Sequence, residues 1–188
     1  MNIEQELQEY KIIGDLNKKV IFYDEIDSTN EEAKRLIRAG KIIDGALVTE
    51  LQIAGKGTQG KKWLSTSGTS ILMTIIKKTK QDIQEVQGVT ISIGEMVHEV
   101  LSGYLPERDV KIKHPNDIIV NGKKICGILV ESIKHNDELY LIIGIGINVN
   151  TDKFEEIEGN VPTSLYLETG RVHSRKEIVL EIINNICK

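Results

Sequence analysis

The sequence predicts an α+β domain: a mixed, mainly antiparallel sheet with helices packed on one face. Three observations carry that expectation. From residue 109 onward, short β-branched runs alternate with tight turns, the pattern of antiparallel strands. Upstream, two strand-like runs flank one helical segment. Residues 82–104 set Val86, Val89, Ile93, Met96, Val97, Val100 and Leu101 on one helical stripe that needs an apolar partner surface. At 188 residues the chain can bury one full core, or one domain with an appendage, and no internal repeat or low-complexity tract is visible.

The elements follow in order. Ile3, Leu7, Tyr10, Ile13 and Leu16 recur at helical spacing, which suits a lead-in helix over residues 1–17 ahead of a main domain over 18–188. Residues 20–23 read as a strand. Ser28, Thr29 and Asn30 then precede a helix over 31–39 whose first turn is acidic and last turn basic, as the helix dipole favours, and which Gly40 ends. Capping needs one of those three polar residues and does not explain a run of three. Residues 45–51 form a second strand, with Gln52 at its exit. Residues 70–76 form a third, rich in β-branched side chains. The 82–104 helix follows, and His98 beside its stripe reads as structural. Residues 110–113 and 118–120 are short strands around a turn at 115–117; Asn121-Gly122 is a hairpin signal. Residues 124–131 and 139–149 pair around a turn at 135–137. A short helix over 155–158 and a loop with a helical turn over 162–166 come next. Ser174, with Glu177 three residues on, makes a capping box for a last helix whose apolar side is Ile178, Ile182 and Ile186.

A net charge of −4 and a pI near 5.7 argue against a surface that coats nucleic acid, so no nucleic-acid partner is expected. Apolar runs such as 142–149 are too short to span a bilayer, and the N-terminus has no signal-peptide pattern, so no membrane association and a cytoplasmic location are expected. Cys126 and Cys187 suit reduced, packed thiols better than a disulfide framework or a zinc site.

Chemistry concentrates in residues 51–63. Gly55, Gly57 and Gly60 let the backbone bring N–H groups close to a ligand, and Lys56, Lys61 and Lys62 add charge with no acid between them, an anion cradle. Residues 55–61 fit a P-loop pattern, but Lys62 stands where Ser or Thr would hold magnesium. Residues 144–149 start like a dinucleotide fingerprint, but Val149 replaces its third glycine. The other polar residues that no core requires are Ser28, Thr29, Asn30, Gln52, Lys113, Asn116, Asp117, Lys124 and Asn148. Nearly all lie at strand ends or adjoining turns, where a sheet can aim them at one cleft. No histidine or cysteine is placed as a nucleophile–base pair. Such a site positions and neutralises, which suits phosphoryl or adenylyl transfer.

Ser-Thr-Asn at 28–30, Gln52 with the loop from Gly55 to Trp63, Lys-His-Pro-Asn-Asp at 113–117, the block at 122–131 and Gly-Ile-Gly-Ile-Asn-Val-Asn at 144–150 together resemble the catalytic domain of the biotin protein ligases. The resemblance covers roughly residues 20–185 and implies a fold like that of class II aminoacyl-tRNA synthetases. It implies joining of biotin to ATP as biotinyl-5′-adenylate, with magnesium (Mg2+), and transfer to a lysine of a biotin carboxyl carrier protein of a biotin-dependent carboxylase. Ser28, Thr29, Asn30 and Gln52 would contact biotin; Gly55, Lys56, Gly57, Thr58 and Gly60 would close over the activated acid; Trp63 would help form the nucleotide pocket. Lys124 would balance charge between the biotin carboxylate and the α-phosphate. Lys113, Asn116 and Asp117 would lie near the phosphates, with Asp117 orienting or deprotonating the acceptor amine and serving as a magnesium ligand. Gly127, Gly144, Gly146 and Asn148 would admit the ligand close to a strand and anchor the nucleotide. Lys124, Asp117 and Lys56 are the residues expected to carry catalysis.

The sequence departs from the family at three places. Lys56 and Thr58 stand where arginines are usual, which removes bidentate phosphate contacts and implies looser retention of the adenylate. His114 replaces a tryptophan. Residues 3–17 resemble the linker after a DNA-reading domain, and the C-terminal β-barrel of the family has no counterpart, so a minimal or truncated ligase without a transcriptional role is expected. A homodimer through the sheet edge is carried by analogy alone. The rival readings are a lipoate or octanoate ligase or transferase, against which the polar Ser-Thr-Asn and Gln52 argue, and a non-catalytic biotin- or nucleotide-binding module, which would need neither Lys124 nor Asp117.

Overall fold

A computed structural model describes residues 19–41, 45–80, 86–155 and 161–187. Its elements are β1 (Lys19–Ile26), α1 (Thr29–Arg38), β2 (Gly45–Gln52), β3 (Ser70–Thr79), α2 (Val86–Tyr104), β4 (Val110–Lys113), β5 (Asp117–Val120), β6 (Lys123–His135), β7 (Glu138–Asn148), α3 (Leu165–Thr169) and α4 (Arg175–Cys187). The helices expected over 3–17 and 155–158 fall wholly or mostly outside the described residues, as does the start of the 82–104 helix.

Among the described residues, seven strands form one sheet in the order β1-β2-β3-β7-β6-β5-β4. Only β1 and β2 run parallel, and α1 is the crossover that such a pair requires. Every other neighbour is antiparallel. Two hairpins close on residues with positive φ, Asn121 with Gly122 and Asn136 with Asp137, as a twisted two-residue turn demands.

The pleat divides the sheet into two different faces. On one, Val48, Ile71, Met73, Ile143, Ile145 and Ile147 pack against Val97 and Leu101 of α2 and Ile178, Ile182 and Ile186 of α4. On the other, Leu47, Ile76 and Ile142 meet Ala33 and Ile37 of α1. The two long helices thus share a face as their apolar stripes required, while α1 lies across the sheet from them, which refines the expectation of helices on one face. Along β7 the alternation is isoleucine toward α2 and α4, glycine toward α1. That leaves a flat strip of backbone beside α1.

Smaller contacts match their sequence signals. The Glu177 amide donates to Ser174 Oγ at 3.3 Å, the capping bond expected at the start of α4. His98 Nε2 lies 3.1 Å from Val110 O and ties α2 to β4, a structural role. Cys126 is buried in the core, and burial pushes its thiol far above the ordinary range, so it is inert as a nucleophile. No described helix is long and apolar enough to cross a membrane.

Candidate functional site: two clefts separated by Trp63

The floor of the site is bare backbone. Gly144 pairs with Thr74 and Gly146 with Gly127 across neighbouring strands, so three glycines lie side by side on the α1 face. Their role is close approach. A β-carbon at Gly146 would stand 2.6 Å from Cε2 of Trp63, one at Gly127 would stand 2.8 Å from Cζ3 of the same ring, and one at Gly144 would collide with Asn30 Oδ1.

The α1 end is rigid and polar. Ser28 occupies the N-cap position, but its side chain makes no capping bond, so capping fails to explain even this one residue of the three. The Thr29 amide and hydroxyl both donate to Gln52 Oε1, at 2.8 and 3.0 Å. The Thr74 hydroxyl lies 2.7 Å from Thr29 Oγ1 and 2.6 Å from Asn30 Oδ1. Asn30 Nδ2 donates to Glu131 Oε2 at 2.9 Å and to Leu129 O at 3.3 Å. All three of Ser28, Thr29 and Asn30 are buried, and the side chains of Thr29 and Asn30 are held by β2, β3 and β6 before any ligand arrives.

The glycine–lysine loop folds back as a small hairpin. The Trp63 amide donates to Gly55 O at 3.0 Å, the Gly57 amide to Lys61 O at 2.7 Å, and the tip turns at Gln59 and Gly60 with φ of 56° and 74°. The hairpin carries Lys56 toward α1, where its ammonium meets Glu31 at 2.7 Å. Lys34 holds the same carboxylate at 2.8 Å, and these two lysines keep the Glu31 pKa down at about 2. Lys34 reaches on to Glu131 at 2.7 Å; burial works against its charge, but Glu131 and Glu31 outweigh that and raise its pKa.

Lys124 closes the opposite side. Its ammonium lies 2.6 Å from Asp117 Oδ1 and 5.4 Å from the centroid of the Trp63 ring. Its backbone is fixed from both directions, since Lys124 N donates to Val161 O and Thr163 N to Lys124 O, each at 2.8 Å. Thr163 O in turn accepts from Asn148 Nδ2 at 2.9 Å.

Two clefts result. The first, about 50 Å³, gathers Ser28, Thr29, Asn30, Gln52, Lys56, Gly57, Thr58, Trp63, Asn116, Lys124, Gly127, Gly144 and Gly146. The second, about 320 Å³, lies on the other side of Trp63 and takes in Gly55 and Asn148, with Ser65, Ser70 and Thr151. Gln52 and Trp63 line both. Trp63 Nε1, Ser65 Oγ and Ser70 Oγ are buried without a hydrogen-bond partner, which marks the second cleft as waiting for polar atoms.

Of the residues singled out from sequence, Gly60, Lys61, Lys113 and Asp117 line neither cleft: Gly60 and Lys61 are at the exposed loop tip and Lys113 at the exposed end of β4. Asp117 touches the site through Lys124. As a magnesium ligand it lacks company, because no group of three or more metal-ligating side chains occurs among the described residues. The donors present therefore do not build a magnesium cage. The sequence reading missed Thr74, Glu31, Lys34, Glu131 and Thr163. Thr74 alone had a signal, a hydroxyl in the otherwise apolar run 71–76.

Among the described residues, neither cleft is lined by a histidine or cysteine, so the arrangement can bind, orient and neutralise but offers no covalent relay. A family model described as the Biotin/lipoate A/B protein ligase family matches residues 23–148. The bifunctional ligase/repressor BirA of Escherichia coli (strain K12) is 34% identical over 81% of this chain and 47% of its own length. The biotin--[acetyl-CoA-carboxylase] ligase of Mycobacterium tuberculosis is 28% identical over 83% of this chain and 61% of its own. The biotin protein ligase of Aquifex aeolicus, solved in complex with biotin and ATP, superposes with a TM-score of 0.75 at 33% identity, covering 90% of this chain and 69% of that one. The chain spans about half the length of the curated relatives it matches first.

Proposed function

The chain belongs to the biotin/lipoate A/B protein ligase family, and from that premise we propose that it activates biotin with ATP and transfers the biotinyl group to a lysine of a biotin carboxyl carrier domain. One observation carries the reading: the Lys124 ammonium lies in the cleft that Asn30, Gln52 and Lys56 also line, beside the tryptophan that separates the two clefts.

Biotin takes the first cleft. Its ureido N–H and C=O groups lose affinity on burial unless matched, and the Thr29–Gln52–Asn30 cluster supplies fixed polar partners over a glycine floor. ATP takes the second cleft, where Trp63 Nε1, Ser65 and Ser70 await polar atoms and Asn148 adds a fixed amide to the wall. The biotin carboxylate oxygen attacks the α-phosphorus, and the bond to the leaving pyrophosphate breaks. Lys124 offsets the repulsion between the two anions as they approach. In the second step the acceptor amine attacks the acyl carbon and AMP leaves. Asp117, 2.6 Å from Lys124, is placed to orient that amine and take its proton. Magnesium would arrive with the polyphosphate.

At about 50 Å³ the first cleft is well below the 300 Å³ or more that a drug-sized ligand needs, so the cleft must widen when biotin binds, through Trp63 or the glycine–lysine loop that lines it. Calorimetry with biotin and with lipoate, each with and without ATP and magnesium, tests the reading. Biotin is expected to bind and lipoate not to; the reverse preference would convert the assignment to a lipoate ligase. Lys124→Ala is expected to keep the fold and lose pyrophosphate release by 100-fold or more, on the order of one oxyanion-stabilising donor.

A further inference from the structure

Both lysines that face the first cleft are already ion-paired, but in different ways. Lys124 and Asp117 are largely buried, with side-chain exposures of 23% and 13%, and stand on paired strands. Lys56 is 52% exposed and stands on the loop, while its partner Glu31 is on α1. The second pair joins the loop to the helix, so exchange of its partner releases the loop from α1. The Glu31 oxygen that accepts from Lys56 at 2.7 Å also accepts from Lys34 at 2.8 Å. Lys34 is anchored in turn by Glu131, which also holds the Asn30 amide. Formal charges along Lys56–Glu31–Lys34–Glu131 cancel. If Lys56 departs, Glu31, only 24% exposed, still keeps an ammonium.

We propose that Glu31 is a positioning residue for the glycine–lysine loop: it holds Lys56 at the cleft mouth in the ligand-free chain and yields it to an anionic ligand, Lys34 remaining as counter-charge. The identity of that anion, a phosphate of ATP or of the adenylate, rests on the function proposed above; the latch between loop and helix does not. The consequence is a competition, in which Glu31 weakens the hold of Lys56 on phosphate in exchange for a loop already in place.

Trp63 is the only tryptophan of the chain and closes the same hairpin as Lys56, so its emission reads the position of the loop. Glu31→Gln is expected to shift the ligand-free emission and to lower KM for ATP roughly two- to fivefold, the size of an exposed ion pair, with kcat within about twofold. Glu32→Gln removes the same charge one residue away, where the partners are Arg35 and Tyr23, and is expected to leave KM and emission as in the wild type. In a Lys56→Met chain, Glu31→Gln is expected to do nothing further. The proposal is overturned if Glu31→Gln leaves KM unchanged, if Glu32→Gln matches it, or if its effect persists without Lys56; the last two outcomes would assign it to the general field of α1. If the wild-type chain releases no pyrophosphate from biotin and ATP, the functional reading fails by itself. The emission comparison then still decides the latch, and an unshifted Glu31→Gln spectrum sinks it.

Discussion

A β-carbon on Gly146 would stand 2.6 Å from a ring carbon of Trp63, closer than van der Waals contact allows. Strand backbone accepts alanine, so Gly146→Ala should fold, but the indole must rise by a methyl group. The expected result is a shifted Trp63 emission and about 30-fold weaker biotin binding, the middle of the range for overpacking a fitted surface; calorimetry beside fluorescence checks both. Unchanged spectra would show that the indole does not rest on the floor. Thr58, half-buried at the first cleft, raises a separate question, since it brings no charge where arginine is usual. Thr58→Arg is expected to slow release of the adenylate in a chase with unlabelled biotin, and equal release would remove position 58 from retention. The glycines and the Ser-Thr-Asn run were legible because residue types so costly or so polar have few uses in a core. Glu31, Lys34 and Glu131 were not, because charged residues at those spacings look like a solvated helix face and a strand end until the chain is folded. Gly60 and Lys113 show the converse: a motif position is only a place along the chain, and both stand outside the clefts.

The start of α1 and the residue before its cap gather carboxylates whose charge is locked in by cations. Arg35, whose guanidinium donates to Asp27, keeps that carboxyl down at about 2, against burial, and the Ser28 amide adds to the effect. Glu31 sits at about 2 for its two lysines. A folded pKa below the ordinary carboxylate value means stability that is present above that value and lost as pH falls from about 4.5 toward 2. These pairs are part-exposed, so each is worth roughly 0.2–1 kcal/mol. A chain carrying Asp27→Asn and Glu31→Gln is therefore expected to lose less stability between pH 5 and pH 2.5 than the wild type, read from urea midpoints (assay pH values of about these magnitudes). Parallel losses would show that other carboxylates control acid unfolding. The elements themselves were readable at this scale. Period-two runs and Asn-Gly turns marked the strands, and the stripe from Val89 to Leu101 marked the long helix. Which face α1 covers was not, because its short apolar side, Ala33 and Ile37, fits either side of a sheet whose two faces both begin as isoleucine and leucine.

The strand order explains why residues so far apart in sequence form one site. β7 lies between β3 and β6, so the antiparallel return of the chain sets Asn148 opposite Ser70 and Gly146 opposite Gly127, while the parallel β1–β2 pair delivers Ser28 and Gln52 to the same end of the sheet. That arrangement was visible in the sequence only as separate motifs, since strand order depends on packing of elements that no local pattern records. One buried contact fastens it from the opposite side. Arg175, at the start of α4, donates to Glu50 Oε2 at 2.8 Å and to Ser70 O at 3.3 Å, and the two charged residues are 4% and 7% exposed. It thereby ties the C-terminal helix to β2 and to the first residue of β3, whose neighbour across the sheet is Asn148 of the second cleft. Removing one member of such a pair leaves the other charge buried, at a cost of about 3–5 kcal/mol, a large part of the 5–15 kcal/mol that holds a typical domain together. Arg175→Met is expected to lower the unfolding free energy by that amount, read as a lower urea midpoint at constant slope, and to weaken ATP binding more than biotin binding, because the strand start it frees borders the second cleft. Glu50→Gln with Arg175→Met removes both charges and should recover much of the lost stability. A single-variant loss below about 1 kcal/mol would mean that water reaches the pair, and α4 would then be held by its isoleucines alone.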